Sequence, residues 1–279
     1  MKKMEGQVAT LPGAGSGIGR ATALLLAAEG ATVVLAARRA APLDALAAEI
    51  IREGGRASAR TVDVGNPDQA IGLARWTIEH HGRVDVLINN AGALFNTRRV
   101  TPEGLELTFA LNHMSYFLMT CGLRERLLAS APARVVNTAS GAHRRVGALD
   151  FDDLQMERGY RGLVAYSRSK LCNILYTREL ARRLAGTGVT ANSLHPGFVA
   201  TRFGDASGGF FAYVVRAAKL VSAISLEKGA ETLVYLASSP DVATISGGYF
   251  FQNPLPHPTR HAQDDPAARR LWDLSDRLA

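Results

Sequence analysis

Residues 8–37 read VATLPGAGSGIGRATALLLAAEGATVVLAA and contain the clearest fold signal in the chain. A short apolar run at residues 8–11 leads into a glycine-rich turn, then into an Ala- and Leu-rich stretch with helical spacing, then into a β-branched run at residues 32–37. The pattern predicts a strand, a turn, a helix and a second strand. Glycines in such a turn let the backbone bend sharply and approach a diphosphate, which then lies at the helix N-terminus. The glycines are Gly13, Gly15, Gly17 and Gly19, spaced as GxxxGxG with Gly15 inside the gap.

The same alternation of strand and helix continues along the chain. Six short runs are apolar throughout, and the segments between them carry apolar residues at helical spacing. A strand–helix repeat predicts a parallel sheet covered on both faces, and strands without polar alternation suit such a sheet. We therefore predict an α/β protein with a single-domain Rossmann fold and a doubly wound parallel sheet of about seven strands. The six runs are residues 8–11, 32–37, 57–62, 84–89, 133–138 and 188–194.

Composition limits the class of protein. Of the 279 residues, 47% are hydrophobic and 20% are charged, which is typical of a globular protein with a full core. No stretch approaches the roughly 20 nearly uncharged residues of a membrane-spanning helix, and the first six residues lack the apolar part of a signal peptide. Cys121 and Cys172 stand alone in the sequence, which suits a reducing compartment. We expect a cytoplasmic protein with no integral membrane segment.

The chain is basic, with 32 Lys and Arg against 25 Asp and Glu and a net charge of +7. The arginines are spread from Arg20 to Arg277, without a long basic run interleaved with aromatic residues. This distribution favours a solvated, arginine-rich surface over a nucleic-acid interface, so we expect no nucleic-acid partner. No grouping of histidines, cysteines and carboxylates completes a metal site, and we expect no metal.

The end of the second predicted strand indicates the cofactor. Residues 33–39 read VVLAARR and hold no carboxylate where an acidic side chain would bind the ribose 2′-hydroxyl of NAD. Arg38 and Arg39 stand there instead, and a guanidinium favours the 2′-phosphate of NADP. The alternative is that both arginines only begin a solvated helix. We predict NADP(H), with Arg38 at the phosphate.

Tyr166 and Lys170, in the run YSRSK, are the strongest candidates for chemistry. Residues four apart lie on one face of a helix, and a nearby ammonium lowers the pKa of a tyrosine from its usual value of about 10. Tyr166 would then serve as a general acid or base. Such a pair also occurs by chance on helix surfaces, so the assignment depends on Asn112, Ser140 and the run NNAG at residues 89–92.

Taken together, these motifs resemble the short-chain dehydrogenase/reductase family along the whole chain. The chain is most similar to the branch that holds the retinol dehydrogenases, the WW-domain oxidoreductase and protochlorophyllide reductase. The matching positions are residues 13–19, Asp63-Val64, residues 89–92, Asn112, Ser140, Tyr166 with Lys170, and Pro196-Gly197.

The resemblance implies a role for each matching residue. Tyr166 would exchange a proton with the substrate oxygen, and Ser140 would hydrogen-bond that oxygen. Lys170 would bind the nicotinamide ribose and lower the pKa of Tyr166, while Asn112 would hold a water molecule that links Lys170 to solvent. The residues expected at the cofactor are Gly13, Gly15, Ser16, Gly17, Ile18, Gly19, Arg38, Asp63, Val64, Asn89, Asn90, Ala91, Gly92, Tyr166, Lys170, Pro196, Gly197, Val199 and Thr201.

The resemblance also implies the reaction, the interconversion of a carbonyl and an alcohol with NADP(H). The Gly-, Ala- and Phe-rich residues 198–225 suggest a lid over a small lipophilic substrate, such as a retinal-like aldehyde or ketone, or else a small surface helix. A steroid or polyketide ketoreductase is the alternative enzyme, and a catalytically silent NADP(H)-binding sensor is the alternative from another class.

We expect one domain over residues 1–279. Its nucleotide-binding part would span about 6–140 and its catalytic and substrate part about 140–279. The family implies a homodimer or homotetramer.

Several positions depart from the family pattern, among them Ala139, where a second serine is common before Ser140. The family usually has threonine where Pro12 stands, and proline removes a backbone N–H near the end of the first predicted strand. We expect this proline to reduce the rigidity of the glycine loop. Residues 114–116 read Met-Ser-Tyr where the branch often has Leu-Gly-His, a change that the sequence does not explain.

Overall fold

The computed structural model describes residues 2–197, 225–252 and 258–279. Within them, seven parallel strands form one sheet in the order β3-β2-β1-β4-β5-β6-β7, which confirms the predicted doubly wound Rossmann sheet. The strands are β1 (Val8–Pro12), β2 (Thr32–Ala37), β3 (Arg56–Thr61), β4 (Val86–Asn89), β5 (Ala133–Thr138), β6 (Val189–His195) and β7 (Tyr249–Phe251).

Helices cover both faces of this sheet. A π-helical stretch, Ala110–Met114, joins two of them, α4 and α5. None of the helices in the described ranges is long and apolar enough to cross a membrane. The helices are α1 (Gly17–Ala28), α2 (Ala40–Arg52), α3 (Pro67–His81), α4 (Leu107–Phe109), α5 (Ser115–Ala129), α6 (Gly162–Arg183), α7 (Leu226–Ser238) and α8 (Asp265–Leu278).

Two cores flank the sheet, and they explain why the inner residues of β2 are all apolar. Successive side chains of a strand point to opposite faces. In β2, Val33 and Leu35 enter the core under α1, α2 and α7, whereas Val34 and Ala36 enter the core under α3, α5 and α6. Both sets are buried, so neither face of the strand tolerates polar residues. The expectation of apolar strands is wrong for the edge strand β3, which includes Arg56, Ser58 and Arg60 and is half-buried or exposed along its length.

Pro12 lies within β1 and breaks none of the sheet hydrogen bonds between β1 and β2. The Thr32 N–H donates to Gln7 O at 2.9 Å, and the Gly13 N–H donates to Ala36 O at 2.7 Å, so odd-numbered residues bond to β2. Pro12 therefore faces β4, where the β1–β4 pairing already ends at Thr10. Pro12 therefore removes no hydrogen bond from the β1–β2 pairing that leads into the glycine loop. The loss of rigidity that we expected has no basis in these bonds.

Candidate active site

The predicted functional residues lie at the carboxyl ends of the central strands. β1 and β4 are neighbours in the sheet, but the helices that follow them cover opposite faces. Such a reversal opens a crevice at the carboxyl edge of an α/β sheet. Ser140 follows β5 at this edge, and α6, which carries Tyr166 and Lys170, packs against β5 and β6.

Ser140 and Tyr166 are joined by a side-chain hydrogen bond, which lowers the pKa of Tyr166. The Ser140 hydroxyl oxygen also accepts the Ala142 N–H at 3.1 Å, so the turn after β5 fixes its position. Burial of the phenol outweighs the hydrogen bond and raises the pKa of Tyr166 to about 12. The lowered pKa expected from the sequence is therefore wrong for this structure, and Tyr166 is a protonated acid.

Lys170 is a buried amine whose hydrogen-bond acceptor among the described residues is a backbone carbonyl. Its side chain is 3% exposed, and its Nζ donates to Thr138 O at 2.9 Å. Asn173 Nδ2 donates to the same oxygen at 3.1 Å, so α6 is tied to the end of β5 at two points. Burial lowers the pKa of Lys170 to about 7, so near neutral pH the amine is divided between its charged and neutral forms.

Asn112 is fully buried in the π-helical stretch before α5. Its Nδ2 donates to Ala93 O and to Ser169 Oγ, both at 2.9 Å, and its Oδ1 accepts the Ala93 N–H at 2.9 Å. The side chain therefore fastens the segment after β4 to α6. Because both amide N–H groups are used in this way, a role in holding water would fall to its backbone carbonyl.

The glycine loop is packed too closely for side chains at two of its positions. Gly13 has a φ of +86°, and a Cβ there would lie 2.9 Å from Ala91 N. A Cβ at Gly19 would lie 2.1 Å from Gly13 O, because the first turn of α1 packs on the start of the loop. A cradle of bare backbone at a helix N-terminus fits the diphosphate of a dinucleotide. Gly17 and Ile18 begin α1, and Ser16 is its exposed N-cap residue.

The residues of the NNAG segment have different roles, with Asn89 inside the core and Asn90 and Gly92 next to the glycine loop and Lys170. Asn89 is 1% exposed, and its Nδ2 donates to Asn137 Oδ1 at 2.8 Å inside the core. Its side chain therefore supports the site from inside the core, and only its backbone is available to the cofactor expected from the sequence. Asn90 Nδ2 donates to Gly13 O at 3.4 Å and ties this segment to the glycine loop. A Cβ at Gly92 would lie 3.4 Å from Lys170 Nζ, so Gly92 leaves room for that side chain.

The predicted nucleotide end lies at the carboxyl ends of β2 and β3. Arg38 directly follows β2 and is exposed, while a Cβ at Gly15 would lie 3.0 Å from Ala37 Cβ, so this strand end adjoins the glycine loop. Asp63 is half-buried, and its Oδ1 accepts the Gly65 N–H at 3.0 Å. Val64 is buried, so only its backbone is available to a ligand.

The turn after β6 is described only as far as Gly197. The Gly197 N–H donates to His195 Nδ1 at 3.3 Å, and Gly197 has a φ of +88°. Pro196 stands between them, half-buried. Val199, Thr201 and the proposed lid up to residue 224 lie outside the described residues.

Two contacts at this site were not anticipated from the sequence. The carbonyl of Thr138 holds Lys170, and the ring of Tyr116 faces the same ammonium, with Nζ 5.6 Å from the ring centroid. The residue type at position 138 does not indicate that its backbone carbonyl is an acceptor. Tyr116 could have been noticed, because it lies in residues 114–116, which depart from the branch pattern.

Comparison with known proteins agrees with this geometry. Residues 7–208 match the sequence profile of the family described as short chain dehydrogenase. Human (Homo sapiens) retinol dehydrogenase 13 is 39% identical over 98% of this chain and 84% of its own length, and mouse (Mus musculus) retinol dehydrogenase 14 is 37% identical over 98% and 86%. These relatives confirm the branch suggested by the sequence.

Solved structures agree as well. An uncharacterized protein from Mycobacterium Paratuberculosis superposes with a TM-score of 0.79 at 30% identity, over 99% of this chain and 94% of its own. A short chain dehydrogenase from Burkholderia cenocepacia, solved in complex with NADP, gives a TM-score of 0.73 at 26% identity, over 89% and 96%. The chain belongs to the short-chain dehydrogenase family and is an oxidoreductase acting on CH–OH groups.

Proposed function

We propose that this oxidoreductase uses NADP(H) to interconvert a carbonyl and an alcohol on a small lipophilic substrate. The observation that carries the proposal is the hydrogen-bonded pair of Ser140 and Tyr166 beside buried Lys170, at the sheet edge that also holds the glycine loop. A proton donor, a second hydroxyl and a cation beside a dinucleotide cradle are the groups that carbonyl reduction requires.

Ser140, Tyr166 and Lys170 would have different roles at the substrate oxygen. The nicotinamide, when bound, supplies hydride to the carbonyl carbon or accepts it from the alcohol carbon. Ser140 and Tyr166 donate hydrogen bonds to the carbonyl oxygen and stabilise the negative charge that develops there. Tyr166 then gives its proton to that oxygen and becomes a tyrosinate. The Lys170 ammonium, 5.7 Å from the ring centroid of Tyr166, favours that anion and returns a proton to it.

NADP(H) is the proposed cofactor because of the groups at the nucleotide end. The loop of residues 13–19 would hold the diphosphate at the N-terminus of α1, and exposed Arg38 would bind the 2′-phosphate. Residues 36–42 contain no carboxylate to bind a free 2′-hydroxyl. The bound NADP of the Burkholderia cenocepacia protein supports the same choice for a chain of the same fold.

A lipophilic, retinal-like aldehyde or ketone is the proposed substrate because the similar retinol dehydrogenases are named for such a compound. The test is product analysis by chromatography after incubation with NADPH, and separately with NADH, against retinal, medium-chain aldehydes, ketosteroids and aromatic ketones. Reduction of retinal or medium-chain aldehydes, faster with NADPH than with NADH, is the expected result. Reduction of ketosteroids alone would instead favour the ketoreductase alternative, and tight NADPH binding without any product would favour a sensor.

We also propose a cytoplasmic homodimer or homotetramer, as the family implies. Helix α8 of the same chain packs on α6, where Trp272 stacks on Tyr176 with centroids 5.7 Å apart, and the same ring contacts Phe117 of α5 at 5.0 Å. Assembly through this face of α6 would have to displace α8. Light scattering on the purified protein measures the subunit number, and cell fractionation tests the location.

A further inference from the structure

We propose that Tyr116 is a positioning residue for Lys170, with its aromatic face stabilising the buried ammonium through a cation–π contact. The catalytic value of this contact rests on the proposed function, but the contact itself can be tested without any turnover. Tyr116 comes from α5 and Lys170 from α6, so the contact also joins the two helices next to the sheet edge.

The geometry places Lys170 Nζ near two aromatic rings. Nζ lies 5.6 Å from the ring centroid of Tyr116 and 5.7 Å from that of Tyr166. Both distances are within the range of about 6 Å over which a ring quadrupole attracts a cation. Tyr116 is 1% exposed, so water does not screen this attraction on its side.

Stabilisation of the ammonium by charged groups is weak at this position. Its pKa is lowered by burial, with no carboxylate of the described chain acting to raise it. Within residues 2–197, 225–252 and 258–279, the titratable groups that contact it are the two tyrosines, and its hydrogen-bond acceptor is the neutral carbonyl of Thr138. A buried cation without a counter-ion depends on such carbonyl dipoles and aromatic faces.

Tyr116 acts as a neutral ring and not as a tyrosinate. Burial raises the pKa of Tyr116 well above its ordinary value, and the neighbouring Tyr166 raises it further. A tyrosinate at position 116 is therefore excluded near neutral pH. This leaves two ways in which Tyr116 can act on Lys170, through the quadrupole of the ring or through the hydroxyl dipole. Phenylalanine at this position keeps the ring and removes the hydroxyl, so it separates the two.

The direct test is the pKa of Lys170 in the intact protein. The chain has only five lysines, Lys2, Lys3, Lys170, Lys219 and Lys228, so protein labelled with ¹³C- and ¹⁵N-lysine gives few side-chain signals. Comparison with Lys170→Met identifies the signal of Lys170. Its chemical shift is then followed from pH 5 to pH 10 in the wild type, Tyr116→Phe and Tyr116→Leu.

We expect Tyr116→Leu to lower the pKa of Lys170 by about 0.5 to 1, because removal of the ring disfavours the charged form. Tyr116→Phe should leave it within about 0.2 of the wild type. Tyr176→Leu is the matched control, since Tyr176 is also a fully buried tyrosine of this helix layer and packs on Trp272. It should lower the melting temperature as Tyr116→Leu does and leave the pKa of Lys170 unchanged.

A series of ring-fluorinated phenylalanines at position 116 covers the case in which Tyr116→Leu does not fold. Fluorine withdraws charge from the ring face and hardly changes its volume, so the pKa of Lys170 should fall with each added fluorine. A flat series, or a shift with Tyr116→Phe as large as with Tyr116→Leu, would overturn the proposal. Because the signal is read without substrate, a protein that shows the trend but reduces no carbonyl would refute the proposed function alone.

Discussion

The hydroxyl of Ser140, in the turn after β5, is hydrogen-bonded to the phenol of Tyr166, in the second turn of α6. The bond lowers the pKa of Tyr166, against a larger opposite effect from burial. It thus brings together the two hydroxyls that would share one substrate oxygen. Neither residue could do this without the packing of α6 on β5.

Ser140→Ala should reduce kcat for carbonyl reduction by about 10²- to 10³-fold, because one of the two donors to the developing oxyanion is lost. Single-turnover rates of carbonyl reduction at pH 7 measure this loss. An unchanged rate would remove Ser140 from the mechanism. Ser167→Ala is the control, since Ser167 Oγ donates to Leu163 O at 2.7 Å and belongs to the helix backbone.

Lys170 should destabilise the folded protein below neutral pH. The pKa of Lys170 falls from 10.5 to about 7 on folding, so between these values the unfolded chain binds more protons and stability rises with pH. Lys170→Met should therefore raise the free energy of unfolding at pH 6 by a few kcal/mol, on the order of 2 to 4 once the lost bond to Thr138 is subtracted. The gain should vanish near pH 10.

Thermal unfolding of both proteins at pH 6, 8 and 10 measures this difference. A variant less stable than the wild type at all three values would contradict a penalty from burial of the charge.

Arg38→Asp should weaken NADPH binding by about 100-fold, because a charge-assisted bond to the 2′-phosphate is replaced by repulsion. The affinity for NADH, which lacks that phosphate, should fall by less than about threefold. Fluorescence titration gives both Kd values. Arg39→Asp is the matched control, since the two arginines are adjacent and exposed. Equal losses for the two cofactors, or a larger discrimination by Arg39→Asp, would refute the assignment to Arg38.

Gly19→Ala should lower both stability and NADPH affinity, because its Cβ would lie 2.1 Å from Gly13 O and must displace the loop backbone. Overpacking of this kind costs about 1 to 3 kcal/mol. Gly72→Ala is the matched helical control, with nothing within 4 Å of its Cβ. It should raise stability by about 0.5 to 1 kcal/mol and leave affinity unchanged. If the two variants behave alike, the close packing of the loop is not needed for cofactor binding.

The sequence predicted much of the fold because burial on both faces leaves a direct trace in residue type. All six predicted strand runs overlap strands of the sheet. The seventh strand, Tyr249–Phe251, is three residues long and too short for any periodicity to indicate it. Pro12 is expected from the sequence to reduce the rigidity of the glycine loop, but its effect depends on which neighbouring strand its missing N–H faces, and only the register shows that.

The electrostatics of the site were less predictable, because they depend on packing that residue type does not reveal. Helical spacing placed Tyr166 and Lys170 on one face, but the pKa of each group depends on burial by α5, α6 and the sheet together. Asn89 has the residue type of a ligand contact, and its place inside the core is a property of the packing. The role of Thr138 rests on its backbone oxygen, which any residue would supply.

The most direct test of the central claim is single-turnover oxidation of bound NADPH by retinal, compared between Tyr166→Phe and Tyr160→Phe. The Tyr160 hydroxyl donates to Phe95 O at 3.0 Å and to Glu106 at 3.1 Å, so it belongs to the loop structure at the same end of the sheet. We predict that Tyr166→Phe binds NADPH normally but oxidises it about 10²- to 10⁴-fold more slowly than the wild type. The rate of Tyr160→Phe should stay within about threefold of the wild-type rate. A Tyr166→Phe protein that oxidises NADPH at the wild-type rate would contradict the account.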